Sequence, residues 1–158
     1  MFNHRALEAS DAKIIIKFPQ SEGELFHLFP KAEYPLRPEI LLKEAKRRSY
    51  PTVVILNHEL AGYGNFINAE HSNFCSIGNV IVNPVMRKMG VASYLMETLI
   101  VIAFDKLKAK YVKISCFNDN TAGLLLYYKL GFSPVGMDVR QTRNGQQMAL
   151  IHMHKYTK

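Results

Sequence analysis

The chain has 158 residues, 48% of them apolar and 21% charged, a composition typical of a soluble globular protein that predicts one domain over residues 1–158. No apolar stretch approaches the roughly 20 residues that span a bilayer, and the start MFNHRALEASDAK lacks the features of a signal peptide, so we expect neither a membrane protein nor a secreted one. Lysine and arginine number 20 against 13 aspartate and glutamate, a formal charge of +7, which indicates either a polyanionic partner or a solvated basic surface.

Hydrophobic periodicity and turn residues predict the element order β-α-α-α-β-β-β-α-β-α-β-β. Ser10 or Asp11 is suited to cap the first helix and Pro19 to end it, while Pro38 suits the first turn of the third helix. Gly131 is placed to end the last helix. The predicted strands are 2–7, 51–56, 59–68, 74–83, 111–117, 133–142 and 146–156, and the predicted helices are 12–18, 21–29, 39–48, 90–109 and 121–130.

A β-α-β unit is predicted from strand 74–83, helix 90–109 and strand 111–117. A crossover of this kind makes its two strands parallel. The remaining strands pair as hairpins, one of them turning at Asn57 and His58. The sheet is therefore expected to be mixed, in an α/β (α+β) fold.

The turn RKMGVA, residues 87–92, places two cations and two small residues at the start of the longest helix. A helix N-terminus presents unpaired N–H groups and a partial positive charge, which suits an anion such as pyrophosphate. The alternative is that Gly90 and Ala92 only permit close packing while Arg87 and Lys88 are solvated. Motifs for ATP and NAD are missing: GxxxxGK[ST] does not occur, and AGYGNFI has Ile67 where a third glycine is needed.

Two segments of this sequence resemble the GCN5-related N-acetyltransferases (GNATs). RKMGVA fits the family pattern R/Q-x-x-G-x-G/A, and NTAGLLLYYKLGF, residues 120–132, looks like N-x-x-A-x-x-L-Y-x-K-x-G-F. Gly123 stands where alanine is usual. The matching positions of the second motif are Asn120, Leu126, Tyr127, Lys129, Gly131 and Phe132. With the flanking strands, the resemblance covers residues 52–153.

The resemblance implies a GNAT-like fold: a mixed, mostly antiparallel sheet with a central parallel β-α-β unit and flanking helices. It implies an N-acetyltransferase that uses acetyl-CoA as co-substrate, without a metal, and acetylates a primary amine of a small molecule or peptide. Tyr127 would give a proton to the departing thiolate, and a backbone N–H of strand 77–82 would stabilise the oxyanion. The implied cofactor-binding residues are Val80, Ile81 and Val82 through their main chain, Arg87, Lys88, Met89, Gly90, Val91, Ala92 and Ser93 around the pyrophosphate, and Asn120.

The general base is not identified by the sequence. An alkylamine, with a pKa near ~10.4, must lose a proton before it attacks. In the peptide N-terminal branch of the family a glutamate often stands five positions before the motif asparagine. Here that position is Ser115, which cannot act as the base, and this departure counts against a peptide N-terminal activity. Glu59, Glu70 and His71 are alternatives, as is direct use of the small neutral fraction of the amine.

Two cysteines, Cys75 and Cys116, lie in apolar segments and are expected to be buried, reduced thiols in a cytoplasmic protein. Cys116 lies near the presumed acetyl site, so an acyl-cysteine relay is the alternative for it. His152 and His154 share a face of the last strand, but no third metal ligand has suitable spacing.

The acceptor pocket is expected to involve the N-terminal helices and the loop 30–38. Phe29 and Tyr34 are candidates for an apolar wall. Glu22, Glu24 and Glu33 are candidates for attracting a cationic amine, although acidic residues on helices are commonly solvated.

Two other function classes remain open beside catalysis. A non-catalytic acyl-CoA sensor could use the same fold, and Tyr127 argues against it. A small basic nucleic-acid-binding domain ranks below both because the ribonucleoprotein signature K/R-G-F/Y-G/A-F-V-x-F/Y does not occur in the sequence. We therefore expect neither nucleic acid nor membrane as a partner, and leave open a homodimer through the C-terminal hairpin, by which this fold often pairs.

Overall fold

Seven strands form one sheet in the computed structural model, which describes residues 1–157. The strands are β1 (Phe2–Ala6), β2 (Ser49–Leu56), β3 (Glu59–Ala69), β4 (Phe74–Val82), β5 (Tyr111–Phe117), β6 (Ser133–Gln141) and β7 (Gln147–Tyr156). Their order in the sheet is β1-β2-β3-β4-β5-β7-β6. Only β4 and β5 pair in parallel, and all other neighbours are antiparallel. The predicted fold class, a mostly antiparallel mixed sheet with one parallel pair, is confirmed.

Five α-helices flank this sheet: α1 (Ala12–Ile15), α2 (Glu22–Leu28), α3 (Pro38–Arg47), α4 (Val91–Val101) and α5 (Thr121–Lys129). A π-helical turn, Ile102–Lys106, continues α4. The long predicted helix is therefore an α-helical segment followed by a π-helical one. Helix α1 is shorter than predicted and lacks a side-chain cap. The carboxylate of Asp11 is instead taken by Arg5, at 2.8 Å, and by the N–H of Glu8.

The helices cover the sheet in two layers with separate cores. Leu95 and Leu99 of α4 and Tyr127 of α5 pack on one face together with Phe66 and Ile77 of the strands. Apolar side chains of α1, α2 and α3 pack on the other face, namely Ala12, Ile15, Leu25, Leu28 and Leu41, against Val53, Leu60, Tyr63 and Ile81 of the strands. Burial of both faces fixes the register of the strands, because a slip by one residue would invert every side chain.

The glycines of AGYGNFI lie in β3 and explain why this segment resembles a dinucleotide turn without being one. A Cβ on Gly62 would lie 2.9 Å from Cγ1 of Val91 and 3.3 Å from the carbonyl oxygen of Ile81, and a Cβ on Gly64 would lie 3.1 Å from Leu95. Both glycines therefore let α4 approach the sheet closely. Their role is in packing the helix whose N-terminus carries the RKMGVA turn.

We expect Gly62→Ala to lower the free energy of unfolding by about 1–3 kcal/mol, the usual effect of overpacking a core. Val91 is buried and β-branched, so it cannot turn away from the new methyl group. Urea denaturation measures the change. Gly136→Ala is the matched control, because no heavy atom lies within 4 Å of its Cβ position. Equal urea midpoints for the Gly62 variant and the wild type would contradict this prediction, because they would show that α4 can move away from the sheet without loss of stability.

Candidate functional site

Strands β4 and β5 separate halfway along their length. They pair from Phe74 opposite Tyr111 to Ile77 opposite Ile114 and no further. Beyond that point β4 continues to pair with β3, and β5 continues to pair with β7. The facing backbone groups of residues 78–82 and 115–117 therefore lack ladder partners across the gap. An extended ligand with amide groups could bond to such groups as an added strand does.

A β-bulge at Asn79 accompanies this separation. Ile81 lies opposite Tyr63 and Gly78 lies opposite Asn65, so β4 has one residue more than β3 in this interval. Asn79 has a φ of +52°. Its side chain accepts a hydrogen bond from the Asn65 amide, at 3.0 Å, and donates one to a carbonyl of α2, at 2.7 Å. The bulge bends β4 and fixes the end of α2 beside the gap.

The extra residue also inverts the alternation of β4. Cys75 and Ile77, before the bulge, face the core formed with α4, whereas Ile81, after it, belongs to the core formed with α1–α3. Val80 and Val82 pack against the α4 side. Asn79 thus determines which side of the sheet each side chain of residues 80–82 faces, in the segment that is expected to bind the cofactor arm.

A groove of about 590 Å³ begins at this gap. It contains most of the predicted cofactor residues together with the predicted catalytic tyrosine: Val80, Ile81, Val82, Arg87, Lys88, Gly90, Val91, Ala92, Ser93, Asn120 and Tyr127. Met89 does not line it, and this residue is 57% exposed. Lys88 and Gly90 on either side of Met89 both have positive φ angles, +66° and +86°, and the chain reverses sharply here.

The turn before α4 presents the features of an anion site. Gly90 occupies the N-cap position in the left-handed conformation, and no side chain of residues 1–157 caps this end. The first amides of α4 are therefore left for a ligand or water. Arg87 is paired in this structure, with Nη2 lying 2.6 Å from Oε1 of Glu24 in α2. Glu24 also lines the groove, so this ion pair lies in its wall.

Tyr127 is buried and Tyr128 is not, as expected from their positions on the helix. The exposed fractions are 7% and 70%. Burial raises the pKa of Tyr127, and neighbouring Cys116 raises it further. The Tyr127 hydroxyl therefore remains protonated at neutral pH and is available as a hydrogen-bond and proton donor.

Asn120 and Cys116 have defined local roles. The Asn120 side chain caps α5 by accepting from the N–H of Gly123, at 3.1 Å. A Cβ on Gly123 would lie 2.8 Å from that side chain, so glycine leaves room for the cap where alanine is usual. Burial raises the pKa of the Cys116 thiol to about 11. Cys116 is accordingly a poor nucleophile, which favours the buried thiol over the acyl relay.

A second cavity, of about 610 Å³, lies between α2, the segment after it and the β6–β7 turn. Glu22, Glu33 and Tyr34, three of the five residues that the sequence suggested for an acceptor pocket, line it. Glu24 lines the groove instead, and Phe29 belongs to the core, so neither contributes to this cavity. Asp119 adds a third carboxylate and Arg143 a single guanidinium.

His27 and Asp119 line both the groove and the cavity. Nε2 of His27 lies 2.8 Å from Oδ1 of Asp119. The imidazole also stacks on Phe117, with ring centroids 5.7 Å apart and planes inclined by 26°. Sequence reasoning missed this pair, since its members are 92 residues apart and no local pattern connects them.

A further chain of hydrogen bonds joins β5, β7 and β6. Ser115 lies 2.7 Å from Nδ1 of His152, and Nε2 of His152 lies 2.8 Å from Asp138. None of these three residues lines the groove or the cavity, and neither do Glu59, Glu70 and His71, the bases considered from the sequence. In residues 1–157 no cluster of histidine, cysteine, aspartate and glutamate could hold a metal ion, and no helix there is long and apolar enough to cross a membrane.

Comparison with known proteins gives one family and many similar folds. The model of the acetyltransferase (GNAT) family matches residues 18–132. No curated protein matches the chain. A spermidine N-acetyltransferase chimera from Vibrio cholerae and hSSAT is 20% identical, with 98% of this chain and 95% of that chain covered and a TM-score of 0.78.

Two other solved structures have the same fold. The ribosomal-protein-S18-alanine N-acetyltransferase from Escherichia coli is 18% identical, with 99% of this chain and 94% of that chain covered and a TM-score of 0.75. The Salmonella typhimurium protein yncA, solved with its cofactor acetyl-CoA, is 17% identical, with 99% and 94% covered and a TM-score of 0.75. At these identities the likeness establishes the fold alone.

Proposed function

The chain belongs to the GNAT acetyltransferase family, and from that premise we propose that it transfers an acetyl group from acetyl-CoA to a primary amine of a small molecule or peptide. The observation that carries the proposal is the groove itself. It joins the gap between β4 and β5, the start of α4 and Tyr127 in one continuous surface. The second cavity meets this surface at His27 and Asp119, which provides a separate place for the acceptor.

The residues of the groove fit the cofactor. Gly90 carries no side chain, and the first turn of α4 adds only Val91, Ala92 and Ser93, so the backbone amides are accessible to a phosphate. Lys88 and Arg87 supply positive charge beside them. The unpaired backbone of Val80, Ile81 and Val82 would hold the amide groups of the pantetheine arm, as the family resemblance implies.

Acetyl-CoA, when bound, supplies the acetyl group as a thioester. The contribution of the protein at the leaving group is the Tyr127 hydroxyl, whose raised pKa keeps it protonated. A proton donor there stabilises the thiolate as it departs. Burial of Tyr127 also excludes water from this side, which favours transfer to an amine over hydrolysis.

The charges of the second cavity support a cationic, polar acceptor. Glu22, Glu33 and Asp119 outnumber Arg143 there, and opposite charges attract an ammonium group before it loses its proton. Tyr34 and Met148 add an apolar wall for a carbon chain. These features favour a small polyamine-like amine over a neutral one, and a peptide amine remains within the proposal. The two buried free cysteines are consistent with a cytoplasmic setting, which we retain as part of it.

Acetyl-CoA and CoA should raise the melting temperature by about 5–10 °C at a hundred times their Kd, because a ligand of the native state stabilises it by mass action. ATP and NAD at equal concentration should do much less, since no motif of this chain suits them. Differential scanning fluorimetry measures the shifts, and calorimetry measures the affinity. If neither acetyl-CoA nor CoA binds, the proposed function is wrong.

A second experiment looks for turnover. It follows acetyl-CoA consumption in the presence of polyamines, amino acids, aminoglycosides and peptides.

A further inference from the structure

We infer that His27, held by Asp119, is the general base that deprotonates the acceptor amine, an inference that rests on the proposed acetyl transfer. The serine at position 115 leaves the usual place of such a base without a basic group. His27 stands instead on α2, in the wall that the groove and the cavity share. A base must border both, because the amine and the thioester carbon have to meet between them.

Two contacts of the imidazole and one of the adjacent backbone hold His27 in this wall. The carbonyl oxygen of Leu28, the next residue, accepts a hydrogen bond from Asn79 of the bulge, at 2.7 Å. Phe117 of β5 stacks against the ring at the inclination given above. Asp119, in the loop after β5, holds Nε2. His27 thus contacts β5 and the loop that follows it, while the next residue ties the end of its helix to β4.

The hydrogen bond to Asp119 determines which nitrogen is basic. An ionised carboxylate has no proton to give, so Nε2 carries the hydrogen and donates it. In the neutral ring the lone pair is then on Nδ1, to which no side chain or backbone group of residues 1–157 donates. The negative charge of Asp119 stabilises the imidazolium that forms when Nδ1 takes a proton, as the aspartate does in hydrolytic triads.

The proton balance of the reaction is complete with these residues. An alkylammonium gives one proton to Nδ1 of His27, and its lone pair forms the new C–N bond as the C–S bond breaks. The sulfur takes the hydroxyl proton of Tyr127, and the Tyr127 oxygen regains a proton from the nitrogen of the new amide. His27 releases its proton to water in the open cavity, so one proton leaves for each amine acetylated.

The other candidate for this role is His152, which bonds Ser115 and Asp138. The same reasoning makes Nε2 of His152 the donor to Asp138 and leaves Nδ1 to accept from Ser115. Both ring nitrogens are therefore occupied. Neither His152 nor Ser115 lines the groove or the cavity, so His152 serves as the matched control for His27.

The test compares His27→Gln with His152→Gln on two amines, spermidine and methoxyamine. Glutamine keeps a donor for Asp119 but has no basicity in this range. For His27→Gln we expect kcat/KM for spermidine to fall about 100- to 1,000-fold, the lower part of the range for a positioned base, with acetyl-CoA affinity by calorimetry unchanged. Methoxyamine is already neutral at pH 7, so its rate should change less than about threefold, and His152→Gln should match the wild type on both amines.

A second measurement does not depend on turnover. The ¹⁵N shifts of the His27 ring should show a proton on Nε2 and none on Nδ1 in the neutral form. Equal losses on spermidine and methoxyamine, loss in the His152 variant alone, or a proton on Nδ1 would each overturn the inference. Acetylation of no amine by the wild type would instead count against the proposed function, and the ring spectrum would still decide the state of His27.

Discussion

Replacement of Gly90 by glutamate should greatly weaken CoA binding while the far-UV circular dichroism spectrum stays native. The substitution places a negative charge at the start of α4, where the groove exposes the backbone amides and where the pyrophosphate is proposed to lie. A repulsion of about 3 kcal/mol, modest for two close charges near a protein surface, weakens binding on the order of 100-fold. Isothermal titration calorimetry with CoA gives the affinity directly.

The conformation of Gly90 requires its own control. Its φ of +86° is strained for any residue with a Cβ, at about 1–2 kcal/mol. Asparagine tolerates this conformation better than most residues and carries no charge. Gly90→Asn should therefore retain far more affinity than Gly90→Glu. Equal losses in the two variants would make the effect conformational, and normal CoA binding by the glutamate variant would show that the turn is only structural.

Tyr127→Phe should lower turnover by on the order of 10²–10⁴, the usual contribution of a positioned proton donor. The change keeps the ring, its edge contact with Phe132 and most of the volume, and removes only the hydroxyl. CoA affinity should change little, because the proposed pyrophosphate site lies at the other helix. The decrease should appear mainly in kcat, since the donor acts as the thiolate leaves.

Tyr128→Phe is the matched control for this experiment. Its ring is largely exposed on another side of the same helix, so this variant should remain fully active. Steady-state kinetics with an amine from the acetyl-CoA screen, together with a single-turnover measurement showing that chemistry limits the rate, provide the comparison. Equal kcat values for the wild type and the Tyr127 variant would leave Tyr127 as a core aromatic and reopen the alternative of an acyl-CoA sensor.

The parts of the site that could be predicted from the sequence are those encoded over a few residues. Gly90 and Ala92 predict the start of α4, and Asn120 predicts the cap of α5. Both predictions work because the N-terminus of a helix depends mainly on the residues of its own first turn. The separation of Tyr127 from Tyr128 follows from helical periodicity alone. Local chemistry sufficed for each of these.

The remaining parts depend on packing between distant segments. Gly78 before Asn79 is a local signal for a bulge, but no local pattern shows that this bulge inverts the faces of β4 and anchors α2. That anchoring brings His27 to Asp119, a contact that no spacing in the sequence could indicate. The predicted cap of α1 was wrong for a local reason: a helical turn already begins at Ala9, and the Asp11 carboxylate bonds to Arg5 and to the N–H of Glu8. A side chain that bonds elsewhere is not available to cap the helix.

The ion pair between Arg87 and Glu24 limits how much binding free energy a phosphate can obtain from Arg87. A phosphate would replace a carboxylate already in place, so the guanidinium exchanges one charge-assisted hydrogen bond for another. Both side chains are partly exposed, 44% and 34%, and such a pair contributes about 0–1 kcal/mol. Truncation of Arg87 therefore measures only how much better Arg87 binds the phosphate than it binds Glu24. A small change in CoA affinity is thus compatible with direct contact between Arg87 and the phosphate. The same exchange releases the Glu24 carboxylate in the groove wall, so the charge that an incoming amine meets depends on whether the anion has arrived first.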